Sequence, residues 1–227
     1  DSWILPESFF FTERWGEIIC ELFNVDCPPT VSDIVKEKKN TGEVIVMLKN
    51  KVAVVTGGTR GIGYAIVEKF LKNGAKVVLF GSRQETVEKA IASLKAENET
   101  WEVSGAWPVL TDAGAVAAEM AKIKETYGKI DILVNNAGVS DSTPIGKYTA
   151  EHFSKVMDLN VNGMMNGILP VVEIMKEQGG GCILNTSSMV SLCGQPGGVA
   201  YPASKYAVNG LTWSLARELG PYNIRVN

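Results

Sequence analysis

The sequence predicts an α/β domain built as a doubly wound parallel sheet. Two observations carry this reading: from Met47 onward short β-branched runs alternate with longer amphipathic stretches, and a glycine-rich turn comes directly after the first run. Val52 to Val55, Val77 to Phe80, Ile130 to Val134 and Cys182 to Asn185 are apolar runs of strand length that read as buried on both faces. Ile62 to Leu71, Thr86 to Leu94, Val116 to Tyr127, Ala150 to Met157 and Val199 to Leu219 carry helical spacing. Such alternation implies parallel strands joined by right-handed helical crossovers. Asn73-Gly74 and Gly128 end two of the helices, as residues tolerant of the left-handed conformation commonly do.

Bulk properties narrow the function classes. A chain of 227 residues suffices for one sizeable domain, or one domain with an appendage. With 45% hydrophobic and 21% charged residues and no apolar run near the length of a membrane span, no membrane role is expected. A formal charge of −3 argues against a protein that holds nucleic acid by neutralising phosphates, so the expected partner is a small molecule. Cys20, Cys27, Cys182 and Cys193 form no C-x-x-C pair and have no histidine at ligand spacing. No metal site is therefore expected; the cysteines read as reduced core thiols of a cytoplasmic protein. His152, beside Glu151, reads as a solvated helix residue without a role.

Residues 1–46 differ in character from the rest of the chain. They open on Asp1, hold Phe9-Phe10-Phe11, and pass through Cys27-Pro28-Pro29 into the charged run Lys36-Glu37-Lys38-Lys39. They are taken as an extension of uncertain origin, not necessarily part of the native fold, in front of a nucleotide-binding domain over residues 47–227. No internal repeat or low-complexity segment is visible.

The first strand leads into Thr56-Gly57-Gly58-Thr59-Arg60-Gly61-Ile62-Gly63 and then a helix. Gly57 allows a tight turn, Gly61 leaves no side chain to block a phosphate, and Gly63 lets the helix pack close to the strand. The anion then meets free amides at the helix N-terminus. Farther on, Tyr201 and Lys205 stand four apart on a predicted helix, hence on one face. A neighbouring ammonium favours the phenolate, which makes Tyr201 a general acid for ketone reduction and a base for alcohol oxidation.

The T-G-x-x-x-G-x-G spacing differs from the general dinucleotide fingerprint and resembles the short-chain dehydrogenase/reductase family. Asn135-Asn136-Ala137-Gly138, Ser188 and Tyr201-Pro202-Ala203-Ser204-Lys205 come in that family's order, so the resemblance covers roughly residues 47 to 227. It implies a Rossmann-type sheet. It also implies a catalytic set of Ser188, Tyr201, Lys205 and Asn160. In that set Ser188, rather than Ser187, bonds the substrate carbonyl, and Asn160 holds a water in a relay to Lys205. The implied cofactor contacts are Gly57, Thr59, Arg60, Gly61, Ile62, Gly63, Ser82, Arg83, Leu110, Asn136, Tyr201 and Lys205, with Asn135 tying strands together. Two departures stand out. Val109-Leu110 replaces an adenine-binding Asp common in relatives, so only backbone contacts are expected there. Relatives also continue past Asn227, so the domain is expected to be incomplete at its C-terminus.

The end of the second strand bears on the cofactor. An acid there would bind the ribose hydroxyls of NAD and repel a 2′-phosphate, whereas this chain reads Phe80-Gly81-Ser82-Arg83, with Arg60 in the preceding loop. NADP(H) is the expected cofactor. The expected activity is hydride transfer between NADP(H) and a ketone or secondary alcohol. Gly74 to Gln84 and Gly194 to Lys205 look most like bacterial hydroxysteroid (bile-acid) dehydrogenases. Alternatives are a 3-oxoacyl-carrier-protein reductase, a dinucleotide-binding regulator without turnover, and a sugar-nucleotide epimerase or dehydratase. A homo-oligomer, dimer or tetramer, is expected.

Overall fold

Strand β1 (Val52–Thr56) reads Val-Ala-Val-Val-Thr and is buried along its whole length. A strand with no solvent face must lie between two covering layers, and the rest of the chain supplies them. The computed structural model describes residues 47–227; the extension over residues 1–46, with Cys20 and Cys27, lies outside the described residues. After β1 come α1 (Gly61–Lys72), β2 (Lys76–Phe80), α2 (Gln84–Glu97), β3 (Val103–Ala106), α3 (Ala113–Tyr127) and β4 (Ile132–Asn135). The chain continues through α4 (Ala150–Met157), α5 (Gly163–Glu177), β5 (Gly181–Asn185), α6 (Val190–Cys193), α7 (Ala200–Leu219) and β6 (Ile224–Val226).

The strands form one parallel sheet in the order β3-β2-β1-β4-β5-β6. The direction of winding reverses between β1 and β4. That junction opens a crevice at the carboxyl ends of the strands, the usual ligand position of such a sheet. Alternate residues of each strand feed opposite core layers. Val54, Leu133 and Ile183 pack with α3, α5 and α7 on one face, and Val55, Leu79 and Val134 with α1 and α2 on the other. Gly128, at φ 78°, caps α3 in the left-handed conformation, and Gly74, at φ 80°, turns the chain after α1.

Several expectations need correction. Helix α5 is absent from the predicted helices because its pattern is masked: Met164, Ile168, Val171 and Met175 are buried, but the apolar Leu169 lies on the exposed face with Glu173 and Glu177, and Pro170 interrupts the sequence. Strand β4 starts at Ile132 rather than Ile130; Ile130 is buried, but its amide donates to Gln178 Oε1 (3.2 Å) and its carbonyl accepts from Gln178 Nε2 (2.8 Å) instead of pairing in the ladder. Strand β5 is not buried on both faces: Cys182 and Leu184 are half-covered, because α1 and α2 lie over β1 to β3 on that side. Cys193 is exposed at the end of α6, outside the core. His152 does have a part, since it completes a capping box with Thr149 at the start of α4.

Candidate active site

The turn after β1 needs its glycines for distinct reasons. Gly57 and Gly61 have φ of 67° and 57°, where other residues are strained, and a Cβ on Gly63 would lie 2.1 Å from the Gly57 carbonyl oxygen. Arg60, at the N-cap of α1, is extended and makes no side-chain capping bond, which leaves the first-turn amides of α1 for a ligand. Thr56 locks this turn to the loop after β4. Its Oγ1 accepts from the amides of Asn136 and Ala137 (both 3.0 Å) and donates to the Val134 carbonyl (3.3 Å). The Asn136 side-chain amide reinforces the junction by donating to the Thr56 carbonyl (3.2 Å).

Above this junction lies a cavity of about 630 Å³, within the usual range for a small-molecule site. Gly57, Thr59, Arg60, Gly61, Ile62 and Gly63 form one wall; Ser82, Pro108, Val109, Leu110 and Thr111 another; Asn136, Val139 and Leu159 a third. Nine of the expected cofactor contacts thus converge on one cavity. Arg83, Tyr201 and Lys205 do not line it: Arg83 is exposed at the N-cap of α2, next to Ser82, and the other two sit on α7. A second cleft of about 800 Å³ opens at the opposite, amino-terminal ends of the strands. Its Asp131 carboxylate is held by Lys51, Lys129 and the Val52 amide, and it contains no proton-transfer pair.

Tyr201 and Lys205 lie one turn apart on α7, with the Lys205 ammonium 5.8 Å from the centre of the Tyr201 ring. Lys205 is buried, and its Nζ donates to the Thr186 carbonyl at 2.7 Å. Burial pushes the ammonium's pKa down. The neighbouring serines differ in freedom. Ser187 Oγ is engaged by the Lys205 carbonyl and by Ser191 Oγ (both 3.3 Å), whereas Ser188 Oγ, among the described residues, meets only the Val190 amide at 3.4 Å.

Asn160 is buried in a single π-helical turn, Asp158–Asn162, between α4 and α5. Such a bulge rotates one side chain inward against the helical repeat. Its Oδ1 accepts from the Val139 amide (2.8 Å), and its Nδ2 donates to the Val139 carbonyl (2.9 Å) and Ser204 Oγ (3.0 Å). Ser204 Oγ in turn donates to the Tyr201 carbonyl at 2.7 Å. Asn135 crosses to Asn185 (2.9 Å), which continues to Thr212 (3.0 Å), linking β4, β5 and α7. Thr56, Thr186, Ser204 and Val139 received no role from the sequence. Each lies inside or beside a recognised motif, but only the fold shows which atoms it meets.

Comparison with known proteins agrees with this geometry. The family model described as short chain dehydrogenase matches residues 51–227. A 3alpha-hydroxysteroid dehydrogenase from Mediterraneibacter gnavus is 59% identical over 184 residues, covering 81% of this chain and 74% of the relative. The 3-oxoacyl-[acyl-carrier-protein] reductase FabG of Chlamydia muridarum is 36% identical over 181 residues, 80% of this chain and 73% of the relative. Among solved structures, NAD+-bound xylitol dehydrogenase superposes with a TM-score of 0.76 at 35% identity, covering 80% of this chain and 69% of that one. Levodione reductase also gives 0.76, at 34% identity and with 79% and 70% covered. The chain therefore belongs to the short-chain dehydrogenase family, as an oxidoreductase of CH–OH groups that uses a nicotinamide dinucleotide.

Proposed function

We propose that the protein interconverts a hydroxysteroid and its ketone with NADP(H), using Ser188, Tyr201, Lys205 and Asn160. The observation that carries the reading is Lys205, a buried ammonium one turn from Tyr201 whose hydrogen-bond partner among the described residues is one backbone carbonyl. A buried charge with donors to spare suits a polar ligand, here the nicotinamide ribose hydroxyls. When bound, the dinucleotide supplies or receives the hydride. In the reducing direction Ser188 Oγ donates a hydrogen bond to the carbonyl oxygen, and Tyr201 delivers its phenolic proton to that oxygen as the alcohol forms. Asn160, fixed through Ser204 to the Tyr201 carbonyl, holds the relay side of α7 in place.

Substrate class rests on two supports. Met189 just before α6, Leu192 on α6 and Ile145 in the loop after β4 leave large apolar side chains exposed on the segments that flank Ser188 and Tyr201, which suits a broad apolar ring system. The 59% identity to a 3alpha-hydroxysteroid dehydrogenase points the same way, against 36% to the FabG reductase. NADP(H) is favoured over NAD(H) because Ser82 and Arg83 place no negative charge at the end of β2 and Arg60 lines the cavity. Leu169 on α5 and Tyr206 and Trp213 on α7 are exposed as well, which supports a homo-oligomer, a dimer or tetramer, formed through these helices. A panel of steroid, acyl-thioester and sugar ketones with NADPH tests the reading. Steroid ketones should give the highest kcat/KM; preferential turnover of acyl thioesters would favour the FabG-like alternative, and NADPH binding without turnover a regulator.

Lys205 also makes a stability prediction. Its pKa is lowered by burial, so the folded state binds this proton less tightly than the unfolded chain. The resulting penalty is full below the folded-state pKa and fades as pH rises toward the ordinary value of 10.5. The wild-type protein should therefore recover part of this penalty as pH rises toward that value, whereas Lys205→Met, which carries no charge, should lack that pH dependence while lowering turnover by about a hundredfold or more. Calorimetry across pH and kinetics on the same samples check both, and an identical pH dependence of Tm in the two proteins would contradict the account of burial.

A further inference from the structure

The turn in front of α7 is bound to the loop after β4 by contacts that belong to neither element's own ladder. Gln195 Nε2 donates to the carbonyls of Asp141 (2.9 Å), Gly197 (3.0 Å) and Gly198 (3.4 Å). The Gly198 amide donates to the Thr143 carbonyl (2.7 Å), and the Gly198 carbonyl accepts from the Tyr201 amide (3.1 Å). These segments meet so closely that a Cβ on Gly198 would lie 1.9 Å from the Asp141 carbonyl oxygen, and one on Gly197 would lie 2.8 Å from that of Ser142. Both glycines have positive φ, 63° and 81°. No other residue fits either position without moving the two loops apart.

The far side of this junction is braced as well. Asp141 Oδ1 accepts from the Thr143 amide (2.9 Å) and hydroxyl (2.7 Å). Those donors, with the Tyr148 hydroxyl nearby, hold the carboxyl down to about 2, so it stays ionised across the ordinary working range. The Tyr148 hydroxyl accepts from the amide of Ala200, the first residue of α7 (3.2 Å). The contacts close into a ring. From Tyr201 they pass through Gly198 to Thr143, along the loop to Val139, across to Asn160, through Ser204 and back to the Tyr201 carbonyl.

We propose that Gln195 is a positioning residue, whose carboxamide fixes the first turn of α7, and with it the Tyr201 phenol, against the loop after β4. This rests on Tyr201 as proton donor. The amide is required because its two N–H groups face three carbonyl oxygens, bonding two and sharing a hydrogen with the third at 3.4 Å; a carboxylate of the same shape offers no donor and sets its charge against them. A small displacement of a proton donor is costly, because transfer requires hydrogen-bond distance.

The test is Gln195→Glu, with Tyr148→Phe as a milder second variant that removes only a hydroxyl. Gln195→Glu should lower kcat by about tenfold or more, since misplacement by 1 Å can cost about a hundredfold. The affinity for NADPH should fall much less than kcat, because most of the cofactor cavity is lined by residues outside α7. Hydrogen exchange should quicken at the amides of Gly198 and Tyr201 but not in β1. Tyr148→Phe should lower kcat in the same direction, by about threefold. A Gln195→Glu variant with wild-type kcat and a lowered Tm would show a staple that matters for stability alone. Affinity for NADPH falling in step with kcat would equally overturn the proposal. Should that variant not fold, unchanged kcat in Tyr148→Phe decides against it. Wild-type protein inactive on every ketone would instead remove Tyr201 as donor, and this proposal with it.

Discussion

Tyr201→Phe is expected to lose about two orders of magnitude in turnover or more, the range that a positioned general acid supplies. The substitution removes one hydroxyl from a half-buried ring and leaves the backbone contacts of Tyr201 with Gly198 and Ser204 intact. Folding and cofactor binding should therefore survive. Lys205 keeps its bond to Thr186 and its place beside the ring, so the variant isolates proton delivery from electrostatics. Some turnover should persist, because Ser188 can still polarise the carbonyl and the reactants remain held together. Steady-state rates across pH make the test: a near-wild-type rate with an unchanged pH profile rules Tyr201 out as the acid. Because kcat and not cofactor affinity is the affected quantity, a parallel NADPH titration separates this outcome from local unfolding.

Legibility in the sequence depends on how much local chemistry can specify. The glycine turn was legible because left-handed backbone and a 2.1 Å approach exclude any side chain, which forces glycine at fixed spacing. The Tyr201–Lys205 pair was legible because a helix places positions four apart together. Helix α5 was not legible, since its solvent face carries the apolar Leu169 beside Glu173 and Glu177 and Pro170 stands inside it, so the polar stripe and the helix-forming run that mark a helix locally are both broken. The same limit applies to the ring around Tyr201. Thr143, Gln195 and Ser204 are ordinary polar residues in loops and helices, and their value lies in contacts with residues far away in the chain, Gly198, Asp141 and Asn160. Strand β5 shows the converse error: Cys182 and Leu184 are apolar enough for a doubly covered strand, yet the sheet leaves one of its faces half-covered.

Cofactor preference is the other large expected effect: the unmodified protein should bind NADPH about a hundredfold more tightly than NADH, the factor that two charge-assisted hydrogen bonds can supply. The two cofactors differ by a phosphate of nearly two negative charges, and Arg60 and Arg83 can each give it one such bond. At about 1.5 kcal/mol each, the pair accounts for that factor. The two arginines are placed differently: Arg60 lines the cavity, while Arg83 is exposed at the N-cap of α2 and does not line it. Arg60 should therefore carry the larger share. Ser82 also lies just ahead of α2, whose N-terminal dipole favours an anion at that point. The same dipole tolerates a carboxylate, so Ser82→Glu combined with Arg83→Thr should fold normally while repelling the 2′-phosphate and accepting the ribose hydroxyls. The preference should then invert toward NADH. Higher ionic strength should weaken NADPH binding more than NADH binding in the unmodified protein, because both arginines face solvent. Fluorescence titration of both cofactors, at low and high salt, measures every one of these ratios; tighter NADH binding by the unmodified protein would overturn the assignment of Arg60 and Arg83 as the phosphate site.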